Sequence, residues 1–450
     1  MHLHTPSPDE DAPAEPATPS AVPDSPTTAS QPAPASATPR RPATSTAHRR
    51  IALLSLALGG FGIGMTEFVT MGILPQLAQG LLPDLAATDP EAANAQAGHL
   101  ISAYAAGVVV GAPLVTAFTA RWAKRRLLLT VLVWLAVANL GVALAPVFGG
   151  VMMMRFLAGL PHGVYFGVAS IVAARLIGVG AQSRGGAFVL GGLTVANVIG
   201  VPFGTWIGQL TSWRSAYLVV AAIFALTLVA VALFVPGEAG DPDASIATEF
   251  RAFRRPQVWL TIAMGAIGFG GWFAFYSYIS PIATDVVGAP EALVPLVLVV
   301  TGIGMTIGNA LGGRFGDRSL FGTILASFAL MLVLMIIGPL VLGVRWAGAT
   351  VMLFAFVLLM GVGSSMLGPA AQARLMQVAP GSETIAAASH HAAFNLANSL
   401  GAFLGGLVVA SGAGYLATLH LGVWLTLAGM AIMAVSFGLD LRPRRMPLPR

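Results

Sequence analysis

The sequence predicts an all-α membrane protein in which twelve transmembrane helices form two pseudo-symmetric six-helix halves. Three observations predict this fold class. The 450 residues are 56% hydrophobic and only 9% charged, whereas soluble proteins average about 25% charged residues. The chain also contains twelve long apolar stretches, and short segments of its first half recur in its second half. Because so few charges cannot cover the surface of a water-soluble protein of this size, we expect lipid to face much of the chain.

The N-terminal residues 1–50 differ in composition from the rest. Residues 1–47 hold 11 of the 30 prolines, among Ala, Ser and Thr, and contain no long apolar run. Such a composition cannot bury enough apolar surface to offset the entropy of ordering. We therefore predict a disordered tail, which lacks the apolar segment of a secretory signal and should stay attached.

Twelve apolar stretches follow the tail. Each is 21–28 residues long, and a helix needs about 20 residues to cross the hydrocarbon core of a bilayer. Transmembrane β-strands would be about half as long and would alternate apolar with polar residues, which these stretches do not. The predicted spans, numbered 1 to 12 in chain order, are 51–78, 99–119, 127–148, 151–177, 186–210, 214–235, 258–283, 293–313, 320–342, 347–370, 384–410 and 415–438.

The basic residues predict the orientation of these spans. With the N-terminus in the cytoplasm, 20 of the 23 Lys and Arg residues fall in the two tails or the inner loops, and only Arg214 and Arg345 fall in outer loops. Cytoplasmic loops of membrane proteins carry such an excess of positive charge. We therefore expect both termini to be cytoplasmic.

Internal repeats predict the two halves. Residues 196–200 (ANVIG) of span 5 recur as residues 397–401 (ANSLG) of span 11. Spans 2 and 8 share a second pattern, in which three residues of each half correspond: Gly107, Gly111 and Arg121 match Gly304, Gly308 and Arg318. The expected organisation is a disordered cytoplasmic tail, a first half, a cytoplasmic linker, a second half and a basic cytoplasmic tail, over residues 1–50, 51–235, 236–256, 257–440 and 441–450.

Short motifs on the expected spans resemble those of the major facilitator superfamily, over roughly residues 51–440. Residues 313–318 (GRFGDR) resemble its loop motif, glycine–any–leucine–any–aspartate–arginine, whereas residues 116–121 (TAFTAR) have lost the leading glycine and the aspartate. Arg155 with Gly159 resembles the fourth-span motif of proton-coupled members. The resemblance implies twelve helices in two halves, with substrate bound between the halves near the middle of the membrane.

Two further motifs extend this resemblance. In span 5, the positions of Gly191, Gly200, Pro202 and Gly204 resemble the fifth-span motif of antiporters, although Val201 stands where the second glycine of that motif is expected. Residues 66–68 (TEF) followed by 72–75 (GILP) resemble the first span of drug and sugar exporters in the drug:proton antiporter family. The residues to which the resemblance assigns a conformational role are Arg121, Gly191, Gly200, Pro202, Gly204, Gly313, Asp317 and Arg318.

Glu67 and Arg155 are candidate proton-coupling residues. Glu67 is the one acidic residue inside a predicted span, and Arg155 is the one basic residue deep in a predicted span. A charge in hydrocarbon is costly, so such residues usually face a cavity and often carry protons. At 1.5 Å per helical residue, Glu67 lies about 12–16 Å and Arg155 about 6–12 Å from the outer surface. We expect the two to pair, unless Glu67 is held by structural hydrogen bonds or Arg155 caps backbone carbonyls.

His162 and Phe166 lie on the same face of span 4 as Arg155 and Gly159, at helical spacing. We expect this face to line the cavity. A histidine titrates near neutral pH and could relay a proton, and an ordinary packed, hydrogen-bonded histidine would fit the sequence equally well.

Span 11 presents His391, Asn395 and Asn398 on one face, as candidate substrate contacts. The neighbouring His390 points about 100° away, so the two histidines cannot chelate a metal from one regular helix. Asn398 and its repeat counterpart Asn197 could instead join helices to one another, as asparagine does in membranes.

Aromatic residues of spans 1 and 7 complete the expected substrate cavity. Phe68 follows Glu67, and Trp272 and Tyr276 share a face of span 7. Aromatic walls with a few polar groups suit flat or amphipathic molecules. An interfacial aromatic belt is the alternative, and Tyr278 fits such a belt better than Trp272 does.

These features favour a transporter in the plasma membrane of a bacterium, which exports a drug or antibiotic in exchange for protons. Export of a sugar, nucleoside or other metabolite is the alternative, and uptake is a further one. An ATP-driven pump would need a phosphate-binding GxxxxGK[ST] sequence, which is absent. A membrane enzyme would need paired acids or a nucleophile with its base, and a receptor would move no substrate. We expect a monomer with no cofactor, metal or nucleic acid, whose partners are lipid, protons and a small molecule.

Overall fold

Twelve helical spans are long and apolar enough to cross a membrane within the described part of the chain, which confirms the predicted fold class. The computed structural model describes residues 46–119, 121–178, 181–237, 254–344, 346, 348–379 and 383–440. Most of the predicted N-terminal tail and linker, and the whole C-terminal tail 441–450, lie outside these residues.

The first half begins earlier than the sequence predicts. Its first helix starts at Thr46, inside the predicted tail, and span 2 starts at Pro90 instead of residue 99. Asp89 explains the second difference, because its Oδ1 accepts a hydrogen bond from the Ala92 N–H at 2.9 Å and caps the helix. The α-helices of this half are Thr46–Gly72, Leu74–Leu81, Pro83–Thr88, Pro90–Thr119, Lys124–Leu144, Phe148–Gly159, His162–Ile177, Gln182–Val195, Val201–Leu210 and Trp213–Phe234.

The second half contains a longer span 10 than predicted. This helix runs past residue 370 to Val378 and includes Arg374, which is 2% exposed and forms a 2.6 Å ion pair with Asp440. Arg374 is therefore a second buried arginine in a span, four residues from the end of its helix. The α-helices of this half are Pro256–Gly268, Gly270–Tyr276, Ile279–Pro281, Val294–Gly316, Leu320–Leu342, Ala349–Val378, Glu383–Val408 and Ala417–Asp440.

Two spans of the first half are interrupted near their middle. Span 4 breaks at Leu160 and Pro161, and the second helix begins at His162. Span 5 contains a π-helical turn over Ala196–Gly200, two residues before Pro202. Because proline lacks an N–H and its ring collides with the carbonyl four residues earlier, a wider turn at this point relieves the collision.

The two halves are joined at the end where span 1 ends and span 2 begins. Asn94 donates a 2.7 Å hydrogen bond to the Tyr415 hydroxyl. Ser102 and Ser399 each donate their hydroxyl to the other's backbone carbonyl at 3.2 Å. In the predicted orientation this end faces outwards, so the structure is closed towards the outside.

Candidate substrate and proton site

Glu67 lies in the contact between the two halves. It sits near the end of the Thr46–Gly72 helix and is 1% exposed. Its Oε1 accepts a 3.3 Å hydrogen bond from Nδ2 of Asn398, which is fully buried on span 11. The single acid that the sequence places inside a span is therefore bonded to the opposite half.

Arg155 binds backbone carbonyls of two neighbouring helices. Its Nη1 donates to the Thr66 carbonyl at 2.6 Å, and its Nε donates to the Leu100 carbonyl at 3.3 Å. The guanidinium lies 4.4 Å above the Tyr104 ring centroid. Both Arg155 and Glu67 are described, and no ion pair joins them, so the expected pairing is wrong for this structure. Two of its nitrogens, Nη1 and Nε, are instead bonded to carbonyls on spans 1 and 2, and the remaining Nη2 has no hydrogen-bond partner among the described residues.

His162 is part of a chain of rings that crosses between the halves. Its Nδ1 lies 2.9 Å from the Tyr104 hydroxyl, and its ring centroid lies 5.2 Å from that of Phe166. Phe166 in turn stacks on His391 of span 11, with centroids 5.9 Å apart and rings 3° from parallel. The packed, hydrogen-bonded alternative describes the contacts of His162, and a relay role stays a prediction.

Span 7 contributes an interior aromatic wall. Trp272 and Tyr276 are buried and stacked, with centroids 4.7 Å apart. Phe68 of span 1 lies 6.2 Å from Tyr276 and 6.5 Å from Phe273, between ring centroids. These contacts place Tyr276 and Phe68 at the boundary between the halves, with Trp272 stacked on Tyr276. Their burial favours the cavity over the interfacial belt.

The sequence position of Tyr278 suggested an interfacial aromatic belt, but its side chain does not lie in one. Its side chain is fully buried, and its hydroxyl donates a 3.1 Å hydrogen bond to the Ala402 carbonyl. Gly98 of span 2 and Gly406 of span 11 leave room for this hydroxyl, since a Cβ at either position would collide with it.

Several buried polar atoms near this wall have no hydrogen-bond partner among the described residues. They are Oδ1 of Asn395, Oδ1 of Asn398 and Nε1 of Trp272. The side-chain amide of Asn395 donates a 3.1 Å hydrogen bond to the His391 carbonyl of its own helix. Unpartnered buried groups of this kind can bind the polar groups of a substrate.

A small cavity opens beside these groups in the second half. It lies between spans 7, 10 and 11 and is lined by Gly265, Phe269, Leu367, Gly368, Ala371, His390, Ala393 and Phe394. Nothing in the described part of the chain gathers three His, Asp or Glu side chains as a metal site would need.

The span 5 motif residues divide into two groups. A Cβ on Gly200 would lie 2.6 Å from Met65, and one on Gly204 would lie 2.9 Å from Val69, so both glycines let span 5 approach span 1. Pro202 is the second residue after the π-helical turn. Gly191 has no atom within 4 Å of an added Cβ, so close packing does not explain it.

The loop motif lies at the end of the molecule opposite to the joined end. Gly313 also has open space around an added Cβ. Asp317 and Arg318 follow the Val294–Gly316 helix and are exposed, as is Arg121 after span 2. Residue 120 of the first-half copy lies outside the described residues.

Sequence reasoning missed three polar residues that hold this site together. Tyr104 carries both the cation–π contact to Arg155 and the bond to His162. Thr66 donates a 2.5 Å hydrogen bond to Oδ1 of Asn139 on span 3. Asn139 was detectable, because asparagine inside an apolar span usually bonds to a neighbouring helix.

Known proteins similar to this chain identify its family. Residues 56–339 match the Major Facilitator Superfamily. Inner membrane transport protein YdhP of Escherichia coli (strain K12) is 35% identical over 383 residues, which cover 85% of this chain and 94% of that protein. A chloramphenicol resistance protein of Streptomyces lividans is 31% identical over 375 residues, which cover 81% of this chain and 90% of that protein.

Structural similarity agrees with this relationship. A crystal structure of a D-xylose-proton symporter superposes with a TM-score of 0.69 and covers 86% of this chain and 97% of that one. At 16% identity it shows the fold alone. The prediction of a multi-pass protein of the bacterial plasma membrane is confirmed, and the family consists of small-molecule transporters rather than enzymes. By sequence and by fold, the chain belongs to the Major Facilitator Superfamily.

Proposed function

We propose that this transporter exports a small organic molecule in exchange for protons, by alternating access. The observation that carries the proposal is the position of Glu67, a buried acid bonded across the boundary between the two halves. An ionisable residue at membrane depth is costly and is usually kept for function. Protonation there changes the charge at the surface along which the halves must separate.

The mechanism follows from this position. With the outer end open, a proton from outside neutralises Glu67. The halves then close at that end, as in this structure, and the proton leaves to the cytoplasm. Substrate enters between the halves from inside, against the wall formed by Trp272 and Tyr276, and the reverse rocking releases it outside.

The class of substrate is open to a direct test. The aromatic wall suits flat, weakly polar molecules, and one relative is a chloramphenicol resistance protein. Chloramphenicol and other aromatic antibiotics therefore come first in a compound panel. Sugars and nucleosides form the second arm, because export of a metabolite is the alternative.

Reconstitution tests the proposal. The purified full-length protein in liposomes, with an imposed pH gradient, should move a panel compound up its concentration gradient and move protons the opposite way. Movement of both in the same direction would make the protein an importer. Movement of compound without protons would remove proton coupling, and movement of neither would point to a receptor.

The direction of the mechanism depends on the predicted orientation. A protease-sensitive tag at the N-terminus should be cut only from the cytoplasmic side of sealed vesicles. Cutting from the outer side would reverse the orientation and with it the path of the proton.

A further inference from the structure

Asn398 is the residue through which the second half contacts Glu67. The two side chains come from spans 11 and 1, they are 0% and 1% exposed, and the amide donates to the carboxyl group at 3.3 Å. Oδ1 of the same amide is buried without a hydrogen-bond partner. The acceptor atom of Asn398 is therefore unused beside a titratable group.

The chemistry of the two groups links this unused atom to a proton. An ionised carboxylate only accepts hydrogen bonds, whereas a protonated carboxyl group both donates and accepts. A carboxamide also donates and accepts through one planar edge. Only the protonated acid can therefore satisfy both polar atoms of Asn398 at once.

We propose that Asn398 senses the proton on Glu67 for the second half of the transporter. When Glu67 is protonated, its O–H donates to Oδ1 of Asn398 while its other oxygen accepts from Nδ2, which gives a cyclic pair with two hydrogen bonds. When the proton leaves, one bond is lost and a carboxylate oxygen faces the Oδ1 lone pairs. The pair then weakens, and the halves separate more easily at the outer end. This inference rests on the proposed proton-coupled function.

The other titratable groups around Glu67 have contacts of their own. Arg155 donates to backbone carbonyls, although its Nη2 has no partner among the described residues, and the Tyr104 hydroxyl is bonded to His162. Tyr217 of span 6 is bonded to Thr70 at 2.7 Å. Tyr276 of span 7 stacks on Trp272.

Asn398 thus differs from all of these residues in two respects. It is the residue of the opposite half that donates a hydrogen bond to Glu67, and its amide has no ionisable group. Its contribution therefore follows the proton on Glu67 alone.

The role assigned here to Asn398 differs from the substrate contact expected from the sequence. Its repeat counterpart Asn197 provides a matched control. Asn197 is also buried, and its Oδ1 also lacks a partner, but no acidic side chain is bonded to it. Loss of Asn197 should therefore leave the response to protons unchanged.

The absence of cysteine from the chain makes the conformational test direct. Spin labels on Ala87→Cys and Ala292→Cys would report the distance between the halves, because both residues are exposed, at the outer end, on opposite halves. The distribution of distances between the two labels is recorded in lipid nanodiscs from about pH 5 to about pH 9, a range that extends to both sides of neutral pH.

The wild-type chain with these labels should shift from the closed to the open population as the pH rises, because the second hydrogen bond exists only with the proton bound. Asn398→Ala should lower the closed-to-open ratio at low pH about tenfold, the effect of losing one to two buried hydrogen bonds. Asn197→Ala should follow the wild type.

Glu67→Gln gives a second, independent arm. A glutamine amide can form the same two bonds with Asn398 at every pH, so this variant should stay closed throughout. Adding Asn398→Ala to Glu67→Gln should allow the outer end to open again. This comparison holds even if Asn398→Ala alone folds poorly, because the double variant is judged against its own parent.

The outcomes separate the inference from the proposed function. If the label distances change with pH to the same extent in the wild type and in Asn398→Ala, Asn398 does not sense the proton. Proton coupling itself is not contradicted by that result. If the wild-type distances ignore pH and liposomes show no proton-driven transport, proton coupling fails and takes the inference with it. If Glu67→Gln remains closed with and without Asn398, the cyclic pair is excluded.

Discussion

Span 2 packs on span 4 in the first half in the same way as span 8 packs on span 10 in the second half. Gly107 lies against the Phe156 carbonyl, and its counterpart Gly304 lies against the Leu358 carbonyl. Arg155 directly precedes Phe156, whereas the residue that directly precedes Leu358 is Val357. Equivalent backbone packing therefore supports a buried cation in one half and an aliphatic side chain in the other.

Spans 1 and 7 differ in the same manner. Gly204 packs on Val69, and its counterpart Gly405 packs on Tyr278. Two residues earlier on each span stand Glu67 and Tyr276. The first half thus carries the charged residues of the site, and the second half carries aromatic and amide groups. In the function that we propose, the duplicated scaffold supplies the symmetric motion, and the differences supply separate places for proton and substrate.

The largest effect should come from exchanging the acid. Glu67→Gln should reduce proton-driven transport to background, because the amide keeps the shape and loses the titratable proton. Tyr276→Phe at the equivalent position should stay within about tenfold of wild type, the range expected for one hydroxyl. Efflux from inverted vesicles with an imposed gradient measures both. Equal losses in the two variants would contradict the division between the halves.

Arg155→Leu should destabilise the first half strongly. It removes the hydrogen bonds from the charged guanidinium to the Thr66 and Leu100 carbonyls, at a cost of about 1.5–3 kcal/mol for each bond. Val357→Ala, which truncates the equivalent aliphatic residue, should cost about 1–2 kcal/mol. Thermal unfolding in detergent measures the difference. A smaller effect for Arg155→Leu than for Val357→Ala would mean that its hydrogen bonds contribute little.

The glycine contacts should respond equally in the two halves. Gly107→Ala and Gly304→Ala each place a methyl group on a neighbouring carbonyl, and overpacking of this kind costs about 1–3 kcal/mol. Gly167→Ala is the control, because an added Cβ there meets no atom within 4 Å. A loss of stability confined to one of the two contact variants would show that the halves are packed less alike than these contacts indicate.

The two copies of the loop motif should give unequal effects, and the first-half copy the smallest of all. Asp317→Ala should reduce transport severely, by about tenfold or more for the loss of a charge-assisted hydrogen bond, because this aspartate can hold helix ends together once the opposite end opens. Ala120→Asp, which restores the acid to the first-half copy, should change the rate only mildly. Transport is compared at equal membrane abundance. Wild-type rates for Asp317→Ala would remove the second-half motif from the mechanism.

The number of spans could be predicted because hydrocarbon demands long apolar segments, but several ends could not. Span 10 continues through Arg374 to Val378, and hydropathy ends a span where charges begin. The side chain of Arg374 is neutralised by Asp440, which lies 66 positions away in the chain. Only the tertiary structure shows that such a residue can remain in a buried helix.

The residue types and depths of the candidate site could be predicted from the sequence, but the hydrogen-bond partners of these residues could not. Glu67 and Arg155 were identified because charges are rare in spans, yet Arg155 bonds to the carbonyls of Thr66 and Leu100. Every residue has a carbonyl, so no sequence pattern marks these acceptors. Likewise, the bond from Asn398 to Glu67 depends on how the two halves meet, which neither half encodes alone.

The outer closure has a consequence for the rate at which the protein can work. Asn94–Tyr415 and Ser102–Ser399 are hydrogen bonds between uncharged groups, and such bonds between membrane helices average only about 0.6 kcal/mol each. Breaking these neutral bonds therefore costs no more than a few kcal/mol, which is compatible with the microsecond-to-millisecond range of domain motions. Gln76 of the first half also donates a hydrogen bond to the Glu291 carboxylate of the second half, and a bond to a charged group is worth about 1.5–3 kcal/mol. The outer end is thus held by several weak neutral bonds and by this stronger one, so the free energy of opening depends more on Glu291 than on any single neutral pair.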